Sequence, residues 1–222
     1  MLVVRNLFER FRPACKGMQL LFVHTPKCGG SYVQAALGPG GKKCFSVTNP
    51  LFAGHLSWQK YRDRLALVDQ SIADFTTFSV VRNPFDWHVS WFNYIRNPLG
   101  GRRSGYHVEH HLFQTMDFAD YVHWLGDPKG VRSVQFDMGR LLCDWVVDES
   151  GKIVVNEILR QEQLEDGLAE MKQRHNLRIK LPAKKINTSN ASDYRSFYTA
   201  KEVDIISERH ARDLDMFGYT FE

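Results

Sequence analysis

The stretch Phe22 to Tyr32, FVHTPKCGGSY, joins an apolar run to a Pro-Lys step, two glycines and a hydroxyl residue. After a buried strand, a Gly-Gly turn that opens a helix presents backbone N–H groups and the positive end of the helix dipole to an anion. Ser31 adds a hydroxyl donor, so phosphate or sulfate is the expected ligand. A Walker A loop would read GxxxxGK[ST], with its lysine behind the glycines. Here Lys27 precedes Gly29 and Gly30, and that pattern is absent from the chain. An ATPase of the usual kind is disfavoured, and the early lysine needs another explanation.

Such a loop needs a strand behind it and a helix in front. Met18 to His24 is nearly continuously apolar, as a strand buried on both faces requires, and Ser31 to Leu37 reads as helix. A second strand-to-helix unit starts at Asp74. FTTFSVVR is β-branched and aromatic, Asn83 can cap, Pro84 suits a first helical position, and FDWHVSWFNYI carries aromatics at helical spacing. Of these aromatics, Trp87, Trp91, Phe92 and Tyr94 are read as helix core rather than an adenine box.

Between the two units GPGGKKC is a turn-rich connection, and HLSWQKYRDRL predicts an amphipathic helix from near His55. Residues 97–111, NPLGGRRSGYHVEHH, read as an exposed loop suited to substrate contacts. Residues 117–125 read as helix, LCDWVVDESGKIVVNEIL as a hairpin turning at Glu149-Ser150-Gly151, and QEQLEDGLAEMKQRH as an amphipathic helix. LPAKKINTSNASDYRSFY is a loop. A last helix is expected over Ala200 to Met216, with a Thr199/Glu202 capping box before it and Gly218 behind it. The pattern predicts an α/β fold, P-loop-like and three-layered, with a mainly parallel central sheet flanked by helices.

Composition narrows the class. At 222 residues, 43% of them hydrophobic, the chain can bury a sizeable core. A net charge of +4, from 29 basic and 25 acidic residues, suits a small anionic ligand and falls short of a nucleic-acid-binding signature. Cys15, Cys28, Cys44 and Cys143 form no CxxC pair, so free thiols in a reducing compartment are expected. The N-terminal MLVVRNLFERFRPACKG lacks a signal-peptide core and the roughly 20 apolar residues of a membrane span, which predicts a soluble, cytoplasmic protein. His107, His110 and His111 match neither HExxH nor HxxEH, so a solvated loop is preferred to a metal site, and no metal is expected.

The loop HTPKCGGSY resembles the 5′-phosphosulfate loop, more usually PKTGGT, of the sulfotransferases that use 3′-phosphoadenosine 5′-phosphosulfate (PAPS). It is most similar to that of the carbohydrate branch that contains heparan sulfate 2-O-sulfotransferase. VVRNPFDWHVSWF is similar to the family's second signature, an arginine ending a strand, a proline, then a serine on the next helix. The tail resembles compact bacterial members in an NxS segment at Asn187 to Ser189, a tyrosine-rich stretch from Tyr194 to Tyr198, and a closing Phe217-Gly-Tyr219. Cys28 and Ser31 depart from the family's threonines, and 222 residues leave no room for the long insertions of the animal polysaccharide enzymes.

The resemblance implies that Pro26, Lys27, Cys28, Gly29, Gly30, Ser31 and Tyr32 hold the 5′-phosphosulfate, that Arg82 and Ser90 hold the 3′-phosphate, and that Asn187 and Ser189 complete the cofactor site. It implies sulfuryl transfer to an acceptor hydroxyl, most naturally of a carbohydrate or glycan, with 3′,5′-ADP as product. The lysine's early position then has a reason: it can face the bridging oxygen on which charge grows. His55, in AGHLSW, is the expected general base, with Asp86, Glu109 and Asp117 as fallbacks.

One sulfotransferase domain is expected over 1–222. Residues 1–17 would be an extension, 18–95 the cofactor core, 96–116 a substrate loop, and 117–222 the remainder with its cofactor-contacting loop and helix. Two rivals stand. A kinase or other phosphoryl transferase would need Mg²⁺ ligands, yet the second strand ends in arginine rather than an acid. A non-catalytic nucleotide-binding module would bind 3′,5′-ADP with no chemical use for Lys27 or His55.

Overall fold

The computed structural model describes residues 19–41, 50–52, 54–96, 110–127, 139–177, 179–182 and 193–222. Among these, three strands form one all-parallel sheet in the order β1 (Gln19–Val23), β2 (Phe75–Val81), β3 (Glu157–Arg160). Leu20, Leu21 and Val23 are buried, and β2 is buried at every position except Thr76. A central parallel strand is covered on both faces and needs this near-continuous apolar character. Register runs from Gln19 opposite Phe75 to Val23 opposite Ser79, and from Phe78 opposite Glu157 to Val81 opposite Arg160. The mixed α/β architecture, a parallel sheet flanked by helices, is the one expected and is consistent with a P-loop-like sulfotransferase fold.

The described residues fall into two compact units. The first, within Met1–Val81 and Asp144–Asn187, holds the sheet with α1 (Gly30–Gly41), α2 (Trp58–Ala66) and α6 (Leu164–Arg174). Regular geometry in α1 stops at Gly38, so its helical part ends at Leu37 as the sequence predicts. Helix α2 begins three residues later than His55, at Trp58, because Ser57 caps it by accepting the Lys60 N–H at 3.4 Å. Helix α6 packs on β3, where a Cβ at Gly167 would lie 3.3 Å from Leu159.

The second unit, within Arg82–Cys143 and Thr188–Glu222, is helical among its described residues. It contains α3 (Pro84–Arg96), α4 (His110–Thr115), α5 (Phe118–Gly126), α7 (Ala200–Arg209) and α8 (Ala211–Phe217). Trp87, Trp91 and Phe92 are buried in its core, as read from their spacing. Asp117 and Asp120 form a capping box on α5, and Glu202 accepts from the Thr199 N–H and hydroxyl at the start of α7. Gly218, in the left-handed region, closes α8.

Three elements differ from expectation, the first being α4, which covers His110–Thr115 within the stretch 96–116 expected to be a loop. The Glu149-Ser150-Gly151 turn exists, held by Asp148, whose carboxylate accepts from the Ser150 and Lys152 N–H groups and the Ser150 hydroxyl. Only one antiparallel bridge, Val147 to Ile153, flanks it, and the expected second arm instead joins β2 as the parallel strand β3. Asn156 steers that departure: its Oδ1 accepts from the Thr77 N–H at 2.7 Å and its own N–H donates to the Thr77 carbonyl at 2.9 Å. The last helix is broken at His210, whose imidazole is fully buried and bonded to both His88 and Asp213.

Candidate active site

The anion loop lies wholly in the first unit. Backbone φ is 61° at Lys27 and 75° at Gly29, with Cys28 between them on the ordinary side. Alternation of this kind turns successive N–H groups toward one concavity, an anion nest. For lysine the left-handed conformation costs on the order of 1–2 kcal/mol, and such strain concentrates at functional sites. The loop is tied to β2 by hydroxyls. Ser79 donates to the Val23 carbonyl at 2.7 Å, so the fully buried Thr25 hydroxyl donates to Ser79 Oγ at 3.0 Å.

The two glycines are required by what packs on them. A Cβ at Gly29 would meet Leu164 Cδ2 at 2.6 Å, besides being strained at positive φ, and a Cβ at Gly30 would meet His24 Nε2 at 1.8 Å. The His24 ring thus occupies the place of a side chain at the first residue of α1. Tyr32 is buried and donates to the Pro182 carbonyl at 3.3 Å, and Pro26 and Cys28 are buried beneath the loop, while Ser31 is exposed.

His55 stands against His24 with ring centroids 4.3 Å apart and an edge-on contact, and its other neighbour is the buried Trp145 at 6.3 Å. His55 Nδ1 lies 3.1 Å from the His24 carbonyl oxygen. A carbonyl only accepts, so Nδ1 carries the hydrogen and the neutral ring keeps its lone pair on Nε2. The histidine chosen from sequence is therefore in the tautomer that a general base acting through Nε2 requires. His24 itself was not singled out from the sequence. It is part-buried and stacked on Phe22 at 5.1 Å. Burial, reinforced by the neighbouring His55, pushes its pKa from 6.5 down to about 3, so its ring is neutral at physiological pH.

Arg82 and Ser90 belong to the second unit. Arg82 Nε donates to Asp86 Oδ2 at 2.7 Å, which gives that carboxylate a partner one helical turn away. Asn83 organises the start of α3. Its Oδ1 caps the Phe85 N–H at 3.1 Å, and its Nδ2 donates to the Thr220 carbonyl at 2.7 Å and the Tyr194 hydroxyl at 3.3 Å. Tyr194 donates to the Phe221 carbonyl and Tyr198 to the Phe85 carbonyl. The tyrosine-rich stretch and the closing tail thus brace the helix that carries Ser90. Asp117, a fallback base, caps α5 by accepting the Asp120 N–H at 2.8 Å.

Gly30 and His55 meet at His24, and Lys27 and Gly29 lie in the same loop, whereas Asn187, Ser189, Glu109, Cys15, Cys44 and residues 97–109 of the expected substrate loop lie outside the described residues. Among the described residues no group of three or more His, Cys, Asp or Glu is placed to hold a metal ion, and no helix is long and apolar enough to cross a membrane. Neither the curated proteins nor the solved structures contain a match to the chain. A family model, Sulfotransferase family, matches residues 14–220, nearly the whole chain. The strained anion loop behind a parallel strand and a match of that extent have one reading: this chain belongs to the sulfotransferase family.

Proposed function

We propose that the protein transfers a sulfuryl group from PAPS to an acceptor hydroxyl, with a carbohydrate or glycan hydroxyl as the acceptor and 3′,5′-ADP as the product. The observation that carries this reading is the loop itself: an anion nest with a lysine held at φ 61° and glycines backed by Leu164 and His24. Such a cradle suits a 5′-phosphosulfate, whose charge is met by backbone N–H groups and the N-terminus of α1. The match over residues 14–220 supports treating both units as one sulfotransferase domain. Within it, residues 96–116 are proposed to contact the acceptor, and Asn187 and Ser189 the cofactor.

PAPS, when bound, supplies a sulfuryl group on a phosphate leaving group. An O–S bond forms to the acceptor, the S–O bond to the phosphate breaks, and its electron pair stays on the phosphate. Lys27 offers its ammonium to the oxygen on which that charge develops, which stabilises the transition state more than the ground state. His55 takes the acceptor proton at Nε2, with Nδ1–H held on the His24 carbonyl. Pro26, Cys28, Gly29, Gly30, Ser31 and Tyr32 form and support the 5′ site, and Arg82 with Ser90 is assigned the 3′-phosphate. Arg82 is oriented by Asp86 meanwhile. No metal is assigned to the step. The protein is proposed to act in the cytoplasm as a soluble enzyme, without nucleic acid or membrane partners.

Thermal unfolding tests the cofactor assignment. A ligand that binds only the folded state at a hundred times its Kd adds about 2.7 kcal/mol. So 3′,5′-ADP is expected to raise the melting temperature well above any shift produced by AMP or by ATP with Mg²⁺. Equal shifts from ATP with Mg²⁺ would favour a phosphoryl transferase instead.

A further inference from the structure

His24 is a polar side chain beside the loop to which the mechanism above gives no task beyond its backbone carbonyl. Its ring is part-buried, between Phe22 on one side and the edge of His55 on the other. Among the described residues no hydrogen bond reaches either ring nitrogen, and the His24 carbonyl oxygen accepts from His55. An imidazole that is part-buried, as this ring is, can take the partner of its N–H from a bound ligand. This one directs Nε2 onto Gly30, into the position a Cβ would take at the first residue of α1, where helix N–H groups lack intrahelical acceptors.

Resting on the sulfuryl-transfer reading, we infer that His24 contacts the donor directly, giving a ring N–H hydrogen bond to an oxygen of the sulfuryl group held by the loop. The choice of the sulfuryl group over the two phosphates follows from the neighbours. The acceptor oxygen that loses its proton to His55 is the atom bonding to sulfur, so a group that touches both His55 and the first turn of α1 adjoins the sulfur. Charge points the same way. Sulfuryl oxygens carry less charge than a phosphate's, and a neutral donor meets them without placing a second cation against His55 when His55 takes up the proton. The low basicity of His24 agrees with this role, because an imidazole that stays neutral through the reaction remains a hydrogen-bond donor and cannot compete with His55 for the acceptor's proton. Gly30 is then explained as well: it is the residue type that leaves room for the ring.

The test compares two ligands that differ in the sulfuryl group. Dissociation constants of PAPS and 3′,5′-ADP are measured by calorimetric titration, without acceptor, on the full chain. His24→Leu and His24→Phe, which remove the donor and keep an apolar filler, are expected to lower the preference for PAPS over 3′,5′-ADP by about 3- to 10-fold, the worth of one neutral hydrogen bond. His24→Gln, which restores an N–H near Nε2, is expected to recover most of it. On the unmodified protein labelled with ¹⁵N-histidine, the His24 ring signals should shift on adding PAPS and stay in place on adding 3′,5′-ADP. An unchanged preference in a folded Leu or Phe variant, or identical His24 spectra with the two ligands, overturns the inference while leaving the cofactor assignment intact. Failure of the unmodified protein to bind either ligand removes both.

Discussion

At the scale of single residues, the proposed base is His55, and the role proposed for it depends on which of its ring nitrogens carries the hydrogen. With Nδ1–H on the His24 carbonyl, the lone pair of the neutral ring is on Nε2, the atom that the proposed proton transfer uses. His55→Ala is expected to lose about 10²–10⁴ in single-turnover transfer, the usual worth of a general base, while 3′,5′-ADP binding stays near normal. His55→Gln keeps the donor but not the base and should be equally slow. Parallel losses of rate and cofactor affinity would instead make His55 a binding or packing residue. Lys27→Ala is expected to lose turnover too, with some cofactor affinity, since a cation beside phosphate also acts in the ground state. Lys27, Gly29 and Gly30 stand out in the sequence by type and spacing, and His55 was singled out by a resemblance; the loop conformation around the first three is what the structure adds. His24 did not stand out, because its contacts with Gly30 and with the ring of His55 are properties of packing that no short window of sequence contains.

Among elements, those with a strong local code were legible: β1 and β2 from their apolar runs, α3 from Asn83 and Pro84, α5 and α7 from their capping residues. Strand β3 was not. It has four residues, one of them buried, and its partner β2 is about eighty positions away, so the true turn at Asp148 to Lys152 made a hairpin the better local reading. The break at His210 was hidden for a similar reason, since its cause is a buried bond to His88 on another helix. The junction of β1, loop and α1 yields a prediction. Gly30→Ala puts a Cβ 1.8 Å from His24 Nε2 on a ring already held by Phe22 and His55, so the loop must shift. Overpacking of this kind costs about 1–3 kcal/mol, and 3′,5′-ADP affinity should fall with it. Removing the obstructing ring in His24→Ala/Gly30→Ala should recover part of the stability, so that the double variant is less destabilised than the sum of the single ones. Strictly additive losses in urea unfolding would mean that the two residues do not meet.

For the molecule as a whole, the property these contacts set is stability against acid. Each compact unit holds a histidine whose pKa is lowered. In the first unit His24 is held down to about 3 by burial and by His55. In the second, His88 is fully buried, with Nδ1 bonded to the Tyr121 hydroxyl at 2.9 Å and Nε2 to His210 Nε2 at 2.7 Å. Burial, then the charges of His210 and Arg209, push its pKa well below the ordinary 6.5. The chain runs on through His210 to Asp213. Burial raises that carboxyl, but the His210 bond and the Cys143 and Leu142 N–H groups outweigh it and keep it low. Unfolding returns both histidines to an ordinary pKa near 6.5, so below that pH the unfolded chain binds protons the folded one refuses. Stability is therefore full above about pH 6.5 and falls as pH drops toward 3, by roughly 1 kcal/mol per pH unit for each histidine. Asp213 and Glu202, whose pKa values are also lowered, add their losses only below the usual carboxylate range, near 4. Urea midpoints at pH 7.5, 6 and 5, followed by tryptophan fluorescence, should thus decline with pH before any carboxylate is involved. His24→Gln, which cannot titrate, should remove one histidine's share of that slope and leave the share of His88. A slope unchanged in His24→Gln would show that His24 accepts a proton in the folded protein, contrary to the neutral ring on which the loop is built.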